Sequence, residues 1–193
     1  MINLIGKKAP NFNTNGVKNN KIIKNFSLKK FYKKNYIILI FYPKDFSYIC
    51  TTELYSFQDE IEEFNNRNVK LIAISTDSEY SHLTWLKIKK NGGIMGINYY
   101  ILSDINKTIS YNYGVLSGTL KIKNNNLKVK GELIPYRGLF FIDKLSIIRH
   151  QLINDIHISR NIYEVLRIID SWQYYEKNGE LLPANFKKNN LII

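Results

Sequence analysis

Cysteine is almost missing from this chain: its 193 residues hold one, Cys50. A single thiol excludes an intrachain disulfide, and with no sign of export it points to a reducing cytoplasm. Histidine is scarce too, and His82, His150 and His157 are scattered along the sequence. The clustered Cys and His of a zinc site are therefore lacking, and neither a metal nor a cofactor is expected. Long apolar runs are also missing. The longest, YIILIFY, is far too short to cross a bilayer, and MINLIGKKAPNF lacks the apolar core of a secretory signal. Acid falls short of base, with 16 Asp and Glu against 28 Lys and Arg, a formal charge of +12. Such an excess permits contact with nucleic acid or an anionic surface. Yet the lysines are spread out, and no helix-turn-helix or RNA-binding signature accompanies them, so neither nucleic acid nor a membrane is an expected partner.

What is present is a globular pattern, 45% hydrophobic and 13% aromatic, long enough for one well-packed domain plus an extension. Residues 11–28 suggest a hairpin turning at NNK, followed by a brief helix in LKKFYKK. NYIILIFYP (35–43) and VKLIAISTD (69–77) read as buried strands, with YYILSD (99–104) a third. Helices are predicted over 50–66, Glu79–Lys90, 109–115 and 161–175, the first from the spacing of Cys50, Leu54, Phe57, Ile61 and Phe64. GLFFID (138–143) and SIIRHQLIN (146–154) should pair antiparallel across a turn near Asp143. This order argues for an α/β chain with a mixed sheet and helices on both sides. GTLKIKNNNLKVKGE (118–132) alternates apolar residues with lysine around three asparagines, which predicts a lysine-faced β-hairpin. Its lysines would also keep an exposed edge from pairing.

Cys50 falls where a buried strand gives way to a helix. Unpaired N–H groups of a first helical turn favour negative charge, and thiolate rather than thiol is the nucleophile. The plain alternative is a small buried hydrophobe.

The neighbouring residues decide. PKDFSYICTTE has the form P-x-x-x-[TS]-x-x-C and resembles the active-site segment of peroxiredoxins. VKLIAISTDSEYSHLTWLK, with His82 and Trp85, is similar to the family's next strand and helix. YRGLFFID resembles the segment carrying its active-site arginine, here Arg137, with a second arginine at Arg149. PANFKK (183–188) resembles the tail of the typical two-cysteine, alkyl hydroperoxide reductase C-type subgroup. The resemblance implies a thioredoxin-like fold over 1–175, carrying an N-terminal hairpin and the insert at about 118–132, with a C-terminal extension over 176–193.

It also implies a chemistry. Cys50 would attack a peroxide and become a sulfenic acid, with the helix N-terminus and Arg137 favouring the thiolate. Arg137 would hold the peroxide, Ser47 would accept from it and donate to sulfur, and Pro43 would shield the thiolate from water. Glu53 would position arginine, helped by a place in the first helical turn. His82 and Trp85 read as packing residues.

The departures carry weight as well. Where the subgroup has V-C-P-A, this chain reads Leu181-Leu182-Pro183-Ala184, so its resolving cysteine is replaced by leucine and the usual intersubunit disulfide cannot form. GGIM (92–95) replaces a Gly-Gly-x-Gly loop, and no Tyr-Phe-bearing final helix follows. The expected function is thus a thiol-dependent peroxidase acting on hydrogen peroxide and organic hydroperoxides. Its one-cysteine cycle would be reset by an external thiol: a thioredoxin-like protein, a reductase or a small thiol. A homodimer or higher oligomer is expected. The alternative is a catalytically degenerate oligomeric scaffold or chaperone-like protein.

Overall fold

The computed structural model describes residues 2–89 and 91–186. An N-terminal hairpin pairs β1 (Asn13–Lys18) with β2 (Lys21–Ser27), and Asn19 and Asn20 close it with φ of 50° and 58°. Asparagine tolerates this left-handed region better than other side chains, so a two-residue turn closes here without glycine. The LKKFYKK segment yields only one 3-10 turn, Leu28–Phe31.

Strand β3 (Tyr36–Phe41) is buried along its whole length. Its alternation feeds two cores. Ile38 and Ile40 pack with Cys50, Leu54, Phe57, Trp85 and Ile169 on one side of the sheet. Ile37, Leu39 and Phe41 pack with Phe12, Phe31, Ile109 and Tyr113 on the other. Burial on both faces is why the run reads as continuous apolar rather than alternating.

The helix expected over 50–66 is two: α1 (Tyr48–Asp59) and α2 (Ile61–Asn66), broken at Glu60. Phe57 and Phe64 still share one core across the break, their rings 5.9 Å apart, so the apolar spacing survives a kink it cannot report. Strand β4 (Val69–Ser75) and α3 (Glu79–Lys87) follow. Helix α3 stops at Lys87, short of its expected end, because Ile88 turns extended and Ile94 N–H folds back to donate to the Trp85 carbonyl. Lys90, the expected last residue, lies outside the described residues.

Next come β5 (Tyr100–Ser103), the short α4 (Thr108–Asn112), and the expected insert hairpin as β6 (Thr119–Lys123) and β7 (Asn126–Lys130). Strands β8 (Arg137–Ile142) and β9 (Ile148–Asn154) pair antiparallel, and α5 (Ile162–Asn178) is the last helix or strand among the described residues. Seven strands form one mixed sheet in the order β2-β1-β5-β4-β3-β8-β9, with β3, β4 and β5 parallel and the others antiparallel. Hairpin β6-β7 stands apart from it. Helix α5 runs past the boundary expected at residue 175, and Lys187 and Lys188 of the family-like tail lie outside the described residues.

Candidate active site

In a sheet with parallel central strands, loops at the strands' carboxyl ends build the site. Strand β3 ends at Phe41, Tyr42 N–H still donates to the Ile74 carbonyl, and buried Pro43 after it has no N–H to give a ladder. Ser47 is the N-cap of α1, with extended φ and ψ of −75° and 137°. Its carbonyl accepts from Thr51 N–H and Thr51 Oγ1, each at 2.9 Å, while its side chain makes no capping bond. Cys50 therefore sits in the first turn of α1, where backbone N–H groups lack intrahelical partners. It is fully buried.

Register brings Arg137 to the same place. Strand β8 runs antiparallel to β3 with Ile40 opposite Leu139, so the first residue of β8 lies beside the end of β3. Arg137 is buried, its Nε donating to the Ile156 carbonyl at 2.7 Å. Its Nη1 lies 2.6 Å from Glu53 Oε2 and 3.5 Å from Cys50 Sγ. One guanidinium nitrogen thus spans the thiol and the acid one turn further along α1.

Glu53 is held twice. Arg160 donates from its backbone N at 2.8 Å and from Nε and Nη2 at 2.9 Å each, a two-pronged grip on the carboxylate. Arg160 Nη1 also donates to the carbonyls of Phe41 (2.8 Å) and Gly138 (2.7 Å), stitching the end of β3 to the start of β8. Burial pushes the Glu53 carboxyl upward, but Arg160 and then Arg137 outweigh it and hold the group below its ordinary value of 4.5. The helix itself contributes less than expected. With α1 starting at Tyr48, Glu53 lies beyond the first turn, so the arginines rather than the dipole keep it charged.

Arg149 is not at this site. It pairs with Asp143 at 2.7 Å and lies 4.1 Å over the Trp172 ring, joining β9 to α5. Arg160 occupies the second arginine's place, a residue that sequence reasoning passed over. The available signal was weak: an arginine directly before Asn161, whose side chain accepts from Tyr163 and Glu164 N–H as the cap of α5.

His82 and Trp85 do more than fill space. Asp45 Oδ2 accepts from His82 Nδ1 and Ser81 Oγ, each at 2.8 Å, and its Oδ1 from Tyr42 OH at 2.8 Å. Asp45 N–H donates to Asp77 at 2.9 Å, and Trp85 packs on Phe46 at 5.6 Å. The loop from Pro43 to Ser47 is thereby fixed from beneath. The assembly presents a buried thiol to a charged, rigidly held donor, suited to nucleophilic attack by sulfur on a bond whose leaving atom becomes negative.

Known proteins match this arrangement. The AhpC/TSA family profile covers residues 5–151. A thioredoxin peroxidase of Echinococcus granulosus is 38% identical over 97% of this chain and 90% of its own length. An alkyl hydroperoxide reductase C of Buchnera aphidicola subsp. Baizongia pistaciae is 40% identical over 97% of this chain and 89% of its own length. A reduced 2-Cys peroxiredoxin of Plasmodium vivax superposes with a TM-score of 0.86 at 36% identity, covering 98% of this chain and 92% of that one. With a thioredoxin-like fold and peroxiredoxin relatives along nearly its whole length, the chain belongs to the AhpC/TSA family.

Proposed function

We propose that this thiol-dependent peroxidase runs a one-cysteine cycle on Cys50. The observation that carries the reading is Arg137 Nη1 held between Cys50 Sγ and Glu53 Oε2. A guanidinium this fixed keeps its charge and donates in a set direction. The Cys50 thiolate attacks the terminal peroxide oxygen. As the S–O bond forms the O–O bond breaks, and the leaving oxygen takes a proton and departs as water or, from an organic hydroperoxide, as alcohol. Arg137 stabilises the charge gathering on that oxygen, with Ser47 as the hydroxyl relay and Pro43 as the screen against water. Glu53 and Arg160 act as positioning residues, setting Arg137 in place.

The product is a sulfenic acid. With Leu182 where the subgroup carries its resolving cysteine, an external thiol attacks that sulfur, releases water and leaves a mixed disulfide, which a second thiol opens. The donor is a thioredoxin-like protein, a reductase or a small thiol, and a reducing cytoplasm is the setting we assign. Among the described residues, strand β9 has a neighbour on one side only, which leaves an edge free for pairing with a second copy in a homodimer. Among the described residues, no helix is long and apolar enough to cross a membrane.

Stopped-flow addition of peroxide to the reduced protein tests the cycle. One thiol should disappear per subunit at one equivalent, and added external thiol should restore it. Arg137→Met should slow the first step by about 10²–10³-fold, the usual cost of one such donor. A thiol that survives peroxide would favour the scaffold reading instead.

A further inference from the structure

Every side chain of the insert hairpin from Thr119 to Lys130 is exposed. Cross-strand partners in an antiparallel ladder point the same way, and successive residues point to opposite faces. The pairs Leu120–Val129 and Ile122–Leu127 therefore make one face, and Thr119–Lys130, Lys121–Lys128 and Lys123–Asn126 the other. On the first, Leu120 and Val129 are 51% exposed, Leu127 61% and Ile122 77%. Soluble surfaces rarely gather aliphatic side chains in this way. The second carries four lysines, and residues 119–130 contain no acid.

Two glycines shape the base of the hairpin. Gly118 and Gly131 face each other with φ of 74° and 79°, and a Cβ on Gly118 would lie 2.7 Å from the Lys130 carbonyl oxygen. Only glycine fits such a bend. A Lys44–Glu132 ion pair of 2.8 Å fastens the base to the loop that leads to Cys50. At its base a groove of about 380 Å3 brings Leu120 and Lys121 of the hairpin together with Ile2, Tyr111, Leu116 and Leu133 of the body.

We propose that this hairpin docks the protein on an anionic lipid surface, its apolar face in the headgroup–acyl boundary and its lysines among the phosphates. Aliphatic side chains on one face and lysine on the other are the composition of interfacial segments, and lysine stems reach past apolar neighbours to keep their charge at the polar level. Each cation near such a surface adds attraction, and the chain's +12 charge draws the whole molecule toward it. Other occupants fit less well. Protein interfaces favour aromatic residues and arginine and are poor in lysine, whereas this hairpin has lysine and no aromatic. Single-stranded nucleic acid calls for stacking aromatics. A second copy brings another strongly positive body. Read along the sequence the lysines look evenly spread; the ladder sorts them onto one face.

Docking is independent of the peroxide chemistry, so either can fail alone. The test is co-sedimentation of the full chain with vesicles of phosphatidylcholine plus phosphatidylglycerol, and with phosphatidylcholine alone. The native chain should bind the anionic vesicles and release as salt is raised. Replacing Lys121, Lys123, Lys128 and Lys130 with Gln should lower binding by up to about a thousandfold. Ile122→Ser with Leu127→Ser, which leaves charge untouched, should weaken it about tenfold or more. Both variants should keep the native circular dichroism and the native rate with hydrogen peroxide. Absence of native binding overturns the proposal. So does undiminished binding by the serine variant, which would mean diffuse adsorption of a basic protein. Tighter binding to poly-L-glutamate than to vesicles, unaffected by the serine changes, would overturn it in favour of an acidic protein partner.

Discussion

A buried carboxylate gripped by two buried arginines makes Glu53 the residue on which the site's charge balance rests. One acid faces two cations, and removing it strips both guanidinium groups of the carboxylate they share. Glu53→Gln should cost about 3–5 kcal/mol at neutral pH, the range for breaking a buried pair. The pH dependence has a definite sign. Burial raises the carboxyl's pKa but the arginines lower it further, so the folded value lies below the ordinary 4.5. A group depressed on folding contributes stability that is present above its unfolded pKa and lost as pH falls through its folded one. Native protein should therefore lose stability on acidification below about 4.5, while Glu53→Gln lacks this component. Denaturant midpoints measured across the acid range check it. A constant gap between the two proteins at every pH would remove Glu53 from the role.

At the scale of elements, the weakest seam of the sheet is where β1 meets β5, since their recorded pairs are only Gly16–Leu102 and Val17–Ile101. A Cβ at Gly16 would stand 2.4 Å from the Ile101 carbonyl oxygen, which is backbone and cannot swing aside. Gly16→Ala should thus part the N-terminal hairpin from the sheet, at about 2 kcal/mol or more of overpacking cost. Hydrogen exchange should show β1 and β2 losing protection while β3 and β4 keep theirs; uniform loss would contradict a local seam. The elements themselves were largely legible because apolar period announces them: each expected strand exists, the helix expected in LKKFYKK shrinks to a 3-10 turn and that over 50–66 divides in two, and both Asn-Asn turns fall inside the stretches that announce them. The break at Glu60 was not, because Phe57 and Phe64 keep one core on either side of it. Of the residues read as a site, Cys50, Ser47 and Pro43 lie within eight residues of sequence, and family likeness pointed to Arg137, which the fold brings beside Cys50 and Glu53. Arg160 was invisible for a physical reason. Its partners Phe41, Glu53 and Gly138 come together only through the β3–β8 register and the descent of the chain into α5, and no local pattern encodes that meeting. Arg149 looked equivalent in sequence, yet its strand hands it to Asp143 and Trp172.

For the molecule as a whole, the decisive position is Leu182. The tail leaves α5 and brings Leu181 and Leu182 to a cavity of about 320 Å3 lined also by Phe141, Trp172 and Tyr175. None of the residues gathered around Cys50 belongs to that lining, so within one subunit the tail and the thiol occupy separate regions. Leucine at this position meets the apolar side chains of Phe141, Trp172 and Tyr175 but offers no sulfur for exchange. If the chain dimerises as the subgroup resemblance implies, this position faces the partner's active site, and its side chain alone decides whether a covalent link can form. Leu182→Cys should then convert a one-cysteine cycle into a two-cysteine one. After peroxide, non-reducing gels should show a dimer that dithiothreitol dissolves and that Cys50→Ser abolishes. The native chain under the same dose should run as a monomer on the gel while its native mass stays dimeric. The substitution itself should be mild, about 1 kcal/mol, because Leu182 is only partly buried. A variant that is dimeric by native mass but never cross-links would show that the tail approaches no partner thiol, and that restoring one sulfur does not restore the subgroup's cycle.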